Sequence, residues 1–471
     1  MEKGLKKIKM KDTGSTSVLK SSFRDPSGFL FMENGRLFRQ VNPGYREDYD
    51  FLMKSGLYEK LTEKQLLIPH REISDHPGYS QPFYKVIEPE KIEFISYPYE
   101  WSFSQLKDAA LTTLRIQKIA LEHGMTLKDS SAYNIQYING TPVFIDTLSF
   151  EIYREGKPWD AYRQFCQHFL APLALMRFTD IRLNLLLKCY LDGIPLDLAS
   201  RLLPFKTKLR FPLLMHIHLH AKAQKKYGNK GSASGNVRIS KSNLIALIDS
   251  LNGLVKKQVI KEKETEWGNY YSFTNYSAGA FDHKKEIIAR FLKNTDTRTL
   301  WDLGSNTGEF TQIASQSGIG CIAFDIDPMA IETYYNHIKQ EKISNVLPLI
   351  MDLTNPSPST GWNNEERMSF SQRPRPDTIL ALGLIHHLAI SNNLPFAKVA
   401  EFLSELCQNL VIEFVPKTDS QVKKLLESRK DVFPGYDEEN LEKEFSVFFT
   451  IIAKERIRDS ERVLYLMKKN R

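Results

Sequence analysis

The chain has 471 residues, 42% hydrophobic and 25% charged, a length beyond what one core ordinarily serves, so at least two domains are expected. A formal charge of +8 permits an acidic partner without requiring one, and four scattered cysteines (Cys166, Cys189, Cys321, Cys407) exclude a disulfide framework and paired zinc-ligand spacing. No apolar run is long enough to span a bilayer and no h-region follows the basic residues 1–11, so a cytoplasmic protein is expected, with 1–27 a disordered basic tail.

From Gly28 the pattern turns to strands. Segments 29–32 and 37–41 flank Asn34-Gly35, the chemistry of a two-residue hairpin turn. A helix is predicted over 45–61, strands over 83–87 and 92–95, and one or two helices over 103–123, stopped by Gly124. Beyond it come Asp129 and Asn134, a second hairpin turning at Asn139-Gly140, and Asp146. The D-x-x-x-x-N spacing of Asp129 and Asn134, with Asp146 after the hairpin, resembles the catalytic loop and metal-binding aspartate of protein kinases. Residues 28–220 therefore resemble an α+β kinase-like domain. The resemblance implies Asp129 as the catalytic proton acceptor, Asn134 and Asp146 as magnesium ligands, and ATP as the nucleotide.

The departures from that family are substantial. There is no G-x-G-x-x-G loop and no V-A-I-K lysine, Arg36 and Arg39 being the nearest cations. Lys128 stands where the family has Arg, and Asp146-Thr147-Leu148 replaces D-F-G. From the residues alone, Asp129 and Asn134 serve equally well to stabilise a loop through Asx turns.

Helical patterns continue over 161–175, 181–191 and 196–203, and the small, polar, basic stretch 221–243 reads as a linker. Residues 244–298 read as a lead-in. It begins with an amphipathic helix over 244–263, passes through an aromatic segment holding Trp267, Tyr270 and Tyr276, and ends in a helix over 283–292.

From Thr299 strands and helices alternate, the pattern of a doubly wound α/β sheet. Strands are predicted over 300–303, 321–325, 346–351, 378–382 and 410–415, then a closing pair over 445–454 and 462–467. The first ends in Asp302-Leu303-Gly304-Ser305-Asn306-Thr307-Gly308, where glycines let the backbone approach a ligand and the next helix points its free N–H groups there. The second ends in Asp325, about twenty residues on, as a ribose-binding acid should. Residues 299–471 thus resemble the class I S-adenosylmethionine (SAM) dependent methyltransferases: an enzyme with a seven-stranded Rossmann-like sheet.

That resemblance implies SAM as cofactor. Gly304, Ser305, Asn306 and Gly308 would cradle its methionine end, Asp302 orient the loop, Asp325 bind the ribose, and Ile326, Asp352 and Leu353 the adenine. Asp327 reads as the N-cap of a helix opening at Pro328. At the end of the fourth strand, His386 or His387 is the candidate catalytic base, or caps the next helix. Glu413, ending the fifth strand, faces the crevice by the switch-point rule and either binds substrate or pairs with a lysine such as Lys417. Trp267 and Tyr270 are candidate substrate contacts, with ordinary packing the alternative.

No Asn-Pro-Pro-Tyr type motif follows the fourth strand, which tilts the acceptor slightly toward oxygen or an unspecified nucleophile. Asn355-Pro356-Ser357-Pro358 lies before that strand and reads as a loop. Residues 383–388 and 355–362 resemble those of nodulation host-specificity methyltransferases. A small-molecule or glycan acceptor is expected, and the absence of interleaved basic and aromatic residues argues against nucleic acid. Fused kinase and methyltransferase domains occur in enzymes that modify bacterial polysaccharide ends, so a bifunctional enzyme and a non-catalytic kinase-like binding module are the two alternatives. Nothing in the sequence fixes the oligomeric state.

Overall fold

The computed structural model describes residues 16–222, 238–260, 277–427 and 431–470. Strands β1 (Thr16–Val18), β2 (Gly28–Glu33), β3 (Arg36–Val41), β4 (His70–Glu72) and β5 (Lys85–Pro89) form an antiparallel sheet ordered β1-β2-β3-β5-β4. β1 lies within the stretch expected to be a disordered tail, where pairing with β2 fixes it. Asn34 and Gly35, both at positive φ, make the tight turn between β2 and β3.

The single helix expected over 45–61 is two, α1 (Arg46–Lys54) and α2 (Leu57–Glu63), because Gly56 takes a left-handed conformation that ends the first. No strand forms over 92–95. Phe94 packs edge-on against the rings of Trp301 and Phe324. Helix α3 (Phe103–Glu122) is one unbroken element, started by a capping box in which Ser102 and Gln105 satisfy each other's backbone N–H. Four short strands follow: β6 (Met125–Leu127), β7 (Ile135–Ile138), β8 (Thr141–Phe144) and β9 (Phe150–Ile152). They pair as β6 with β9 and β7 with β8.

In the C-terminal half, β10 (Thr299–Leu303), β11 (Gly320–Asp325), β12 (Val346–Ile350), β13 (Thr378–Ala381) and β14 (Asn409–Phe414) run parallel. Antiparallel β16 (Val463–Lys469) and β15 (Phe449–Arg456) complete the order β12-β11-β10-β13-β14-β16-β15. This is the expected seven-stranded doubly wound sheet with its closing pair. Phe445, assigned to a strand from the sequence, instead belongs to a helix, Glu438–Ser446, that Asp437 caps. Among the described residues no helix is long and apolar enough to cross a membrane.

The halves are not independent beads, for one apolar core runs through both. Helix Lys241–Lys256, expected to lead into the C-terminal unit, lies along α3 of the N-terminal half, with Lys118 and Asp249 paired at 2.8 Å. The start of α3 docks on the C-terminal half. Ser104 donates its N–H to Glu332 at 2.8 Å, Gln105 bonds the Pro348 carbonyl at 3.0 Å, and Tyr335 donates to Asp108 at 2.8 Å. Beside them Glu100 and Arg373 form a bidentate ion pair with 1% and 0% of their side chains exposed. Residues 223–237, most of the expected linker, lie outside the described residues.

Candidate active site

Five parallel strands present their carboxyl ends on one edge, and the glycine bend and Asp325 meet there as neighbours. Gly304 and Ser305 both donate their N–H groups to the Phe324 carbonyl, at 2.8 and 2.9 Å, pinning the bend to β11. Gly304, Asn306 and Gly308 all adopt positive φ. Asn306 N–H then reaches the Asp325 carboxylate at 2.8 Å, while Asp327 N–H reaches its other oxygen at 2.9 Å. Despite these two bonds, burial pushes the Asp325 carboxyl up to about 6. Ile326 beside it is 58% exposed, an apolar side chain open to the same space. Ser305 is buried and its hydroxyl has no partner among the described residues.

Gly308 is constrained twice. A Cβ there would sit 2.0 Å from the buried ring of Tyr334, at a φ of +85° that side chains avoid. Gly308→Ala should therefore destabilise the fold by about 1–3 kcal/mol, as overpacking does, read as a lower urea midpoint. An unchanged midpoint would mean that Tyr334 moves aside freely.

The other sequence-derived acids divide. Asp302 is buried, accepts from Thr311 Oγ1 at 2.6 Å, and is pushed up to about 7 by burial. It ties the end of β10 to helix Thr311–Gln316, the orienting part of its expected role. Asp327 caps helix Pro328–Glu341 through Met329 N–H at 2.8 Å. Asp352 stands at the end of β12 on the same edge, where its Oδ1 closes an Asx turn with Thr354. Leu353 packs partly into the core.

His386 and His387 follow β13 with ring centroids 4.1 Å apart. His386 is 1% exposed, neither ring nitrogen has a hydrogen-bond partner among the described residues, and burial drives its basicity well below the usual range. His387 is half-buried and pulled down to about 4 by the same cause. Both imidazoles are neutral near pH 7 and able to accept a proton.

Glu413 is completely buried, and its lysine partner is not Lys417, which pairs with Asp431. Lys284, from helix Ala278–Lys293, donates to Glu413 at 2.8 Å and lies over the Phe310 ring. Arg462 approaches Glu413 at 3.8 Å and bonds Asp419 at 2.8 Å. Sequence reasoning missed Lys284 and Arg462. For Lys284 the signal was a cation on the apolar face of its helix, Arg462 before β16 offered none, and charge spacing could not name either partner. On this same edge, Thr418, Asp419, Arg456, Arg458, Ser460 and Glu461 line an open concavity of about 690 Å³.

In the N-terminal half Asn134 and Asp146 meet through Ser149, and Asp129 bonds Asn134 and Gln164. Asn134 donates to the Ser149 hydroxyl at 3.3 Å, which in turn donates to Asp146. Both aspartates also close Asx turns, Asp129 with Ser131 N–H at 2.8 Å and Asp146 with Leu148 N–H at 3.1 Å. Arg39 forms an ion pair with Asp146, and Lys128 bonds Ser27 at 2.6 Å. Among the described residues no group of three or more His, Cys, Asp or Glu is arranged to hold a metal. Trp267, Tyr270 and Tyr276 lie outside the described residues.

No protein-family model matches the chain. The nodulation protein NoeA of Rhizobium meliloti (strain 1021) is 35% identical over 457 residues, 95% of this chain and 95% of that protein. Among solved structures, the N-methyltransferase NodS from Bradyrhizobium japonicum WM9 in complex with S-adenosyl-L-homocysteine is 12% identical. It covers 41% of this chain and 88% of that one, with a TM-score of 0.31. The bifunctional kinase-methyltransferase WbdD is 14% identical, covering 46% and 45%, with a TM-score of 0.28. Both of these likenesses span less than half of the chain.

Proposed function

The chain belongs to the family of the nodulation protein NoeA, and from that premise we propose that its C-terminal half is a SAM-dependent methyltransferase acting on a hydroxylated small molecule or glycan. What carries the reading is the bond from Asn306 N–H to Asp325, which locks a glycine bend and a strand-end carboxylate into one cradle. The residues fit the cofactor. Ser305 offers an unpartnered hydroxyl, Asp325 accepts from ribose hydroxyls, and Ile326 with Asp352 and Leu353 suits the adenine end. When bound, the cofactor supplies an electrophilic methyl group on a sulfonium.

The remaining task is positioning and proton removal. Of the two histidines that follow β13, the half-buried His387 is the one open to an acceptor hydroxyl and takes its proton, with the buried ring of His386 packed beside it. The Lys284–Glu413–Arg462 network holds the wall of the crevice, and the polar concavity beside it suits a polyol. Calorimetry on the full chain tests the reading: SAM binds, and Asp325→Ala weakens it by about 1–3 kcal/mol, the cost of losing charge-assisted hydrogen bonds. Unchanged affinity removes Asp325 from the site.

A second reading concerns the N-terminal half. Its antiparallel sheet, α3 and paired hairpins, with Asn134 bonded to Asp129 and linked to Asp146 through Ser149, support a kinase-like unit. The Arg39–Asp146 ion pair must open before Asp146 can hold magnesium, which favours a binding scaffold over phosphotransfer from ATP. Magnesium-dependent ATP turnover abolished by Asp146→Asn would reverse that preference.

A further inference from the structure

Among the described residues the densest run of exposed apolar side chains lies between Leu202 and Leu219. Phe205, Leu209 and Phe211 are 71%, 77% and 70% exposed, and Leu202 and Met215 flank them, also on the surface. Isolated exposed apolar residues are ordinary, but a cluster of large ones within a dozen positions marks an interaction surface.

The backbone that carries the cluster is firmly held. Thr207, in the middle of the 3-10 turn Phe205–Leu209, is fully buried. Its hydroxyl bonds the Pro204 carbonyl at 2.7 Å and His218 at 3.0 Å. Leu203, Leu213 and Ile217 anchor the same segment in the core. With the inward positions filled, Phe205 and Leu209 are directed away from the protein by the turn itself.

Charge on this surface is predominantly positive, with Asp197 pairing Arg201 at its edge at 3.0 Å. From 198 to 222 the chain carries five Lys or Arg (Arg201, Lys206, Lys208, Arg210, Lys222) and no Asp or Glu. All five are exposed. Lys208 lies over the Phe205 ring at 5.4 Å, and Arg210 over Phe178 at 4.9 Å, so the cations interleave with the apolar side chains.

We propose that this face docks peripherally on an anionic lipid bilayer, Phe205, Leu209 and Phe211 entering the headgroup and acyl boundary while Lys206, Lys208 and Arg210 meet the lipid phosphates. Both halves of the recognition are present: apolar bulk to bury and complementary charge around it. A nucleic acid would use the cations, but the most exposed apolar member, Leu209, has no face to stack on a base. A second copy of the chain would bring five cations against five.

The test is co-sedimentation of the full chain with vesicles of phosphatidylcholine alone and of equal parts phosphatidylcholine and phosphatidylglycerol. Binding is expected only to the anionic vesicles, weakening as salt rises. The triple variants F205S/L209S/F211S and K206E/K208E/R210E should each lose at least about tenfold in affinity while keeping the wild-type circular dichroism spectrum, since every altered side chain is exposed. Because folding could still be affected, a bimane label on L209C provides a second readout, its emission shifting blue on anionic vesicles. No binding to anionic vesicles, or no blue shift, would overturn the proposal. So would binding retained by the serine variant, the signature of a charge-only polyanion site. A lipid-free dimer in ultracentrifugation that the serine variant dissociates would also overturn it and give the face to a second copy.

Discussion

Arg373→Met should destabilise the whole chain by about 3–5 kcal/mol, because it strands the Glu100 carboxylate in the core without its partner. Glu100 accepts both guanidinium arms of Arg373, the Ser357 hydroxyl and the Tyr97 N–H, and Arg373 lies over the Tyr97 ring at 4.7 Å and the Phe94 ring at 5.3 Å. Desolvating two charges costs roughly what their attraction returns, so the pair as a whole contributes little net stability, but half of it is worse than none. The double variant E100Q/R373M should therefore recover a large part of the loss, a coupling that urea midpoints of the four proteins in a double-mutant cycle would measure. A wild-type midpoint for R373M would show that the joint between the halves does not depend on this ion pair.

That joint is also where the sequence was least legible. Local signals carried well: the alternation from Thr299 set out the parallel strands, Asn34-Gly35 and Asn139-Gly140 marked the turns of two antiparallel hairpins in the N-terminal half, and the Gly304 bend and Asp325 came together on one edge. Each depends on chemistry within a few residues or on a repeating period. The pairing of Glu100 with Arg373 spans 273 positions, and that of Lys284 with Glu413 spans 129. Nothing local distinguishes those cations from the many that end in water. The same limit explains helix Lys241–Lys256, whose amphipathic face was plain while its partner, α3, was not. Gly56 was misread for a different reason. A glycine within a helical pattern is often tolerated, and only its left-handed conformation shows that α1 ends there.

Acid should destabilise this protein at a pH where its ordinary surface carboxylates are still largely ionised. His168 is held down to about 3 and His70, His216 and His387 to about 4, and His386 is also held well below the usual range, all chiefly by burial. The unfolded chain takes up a proton on each as pH falls below the ordinary 6.5, whereas the folded chain does not. Their stabilising contribution is therefore fully present above 6.5 and is lost as pH drops toward about 4. Asp302 and Asp325 act in the opposite sense. Held up at about 7 and about 6, they bind protons in the fold that an unfolded chain would release, and so favour the fold as pH falls. At about 1.4 kcal/mol per unit, the depressed histidines outweigh the raised aspartates and leave a net loss on the order of several kcal/mol between pH 6.5 and 4.5. Urea midpoints at intervals across that range should fall steadily, and His168→Asn should make the decline shallower; midpoints that stay level would mean that these imidazoles protonate in place. The cofactor adds a cross-check on the proposed methyltransferase site. If ribose hydroxyls bind the ionised Asp325, SAM should raise the midpoint at pH 7.5 and progressively less as pH falls through about 6, the opposite of what apo Asp325 does alone.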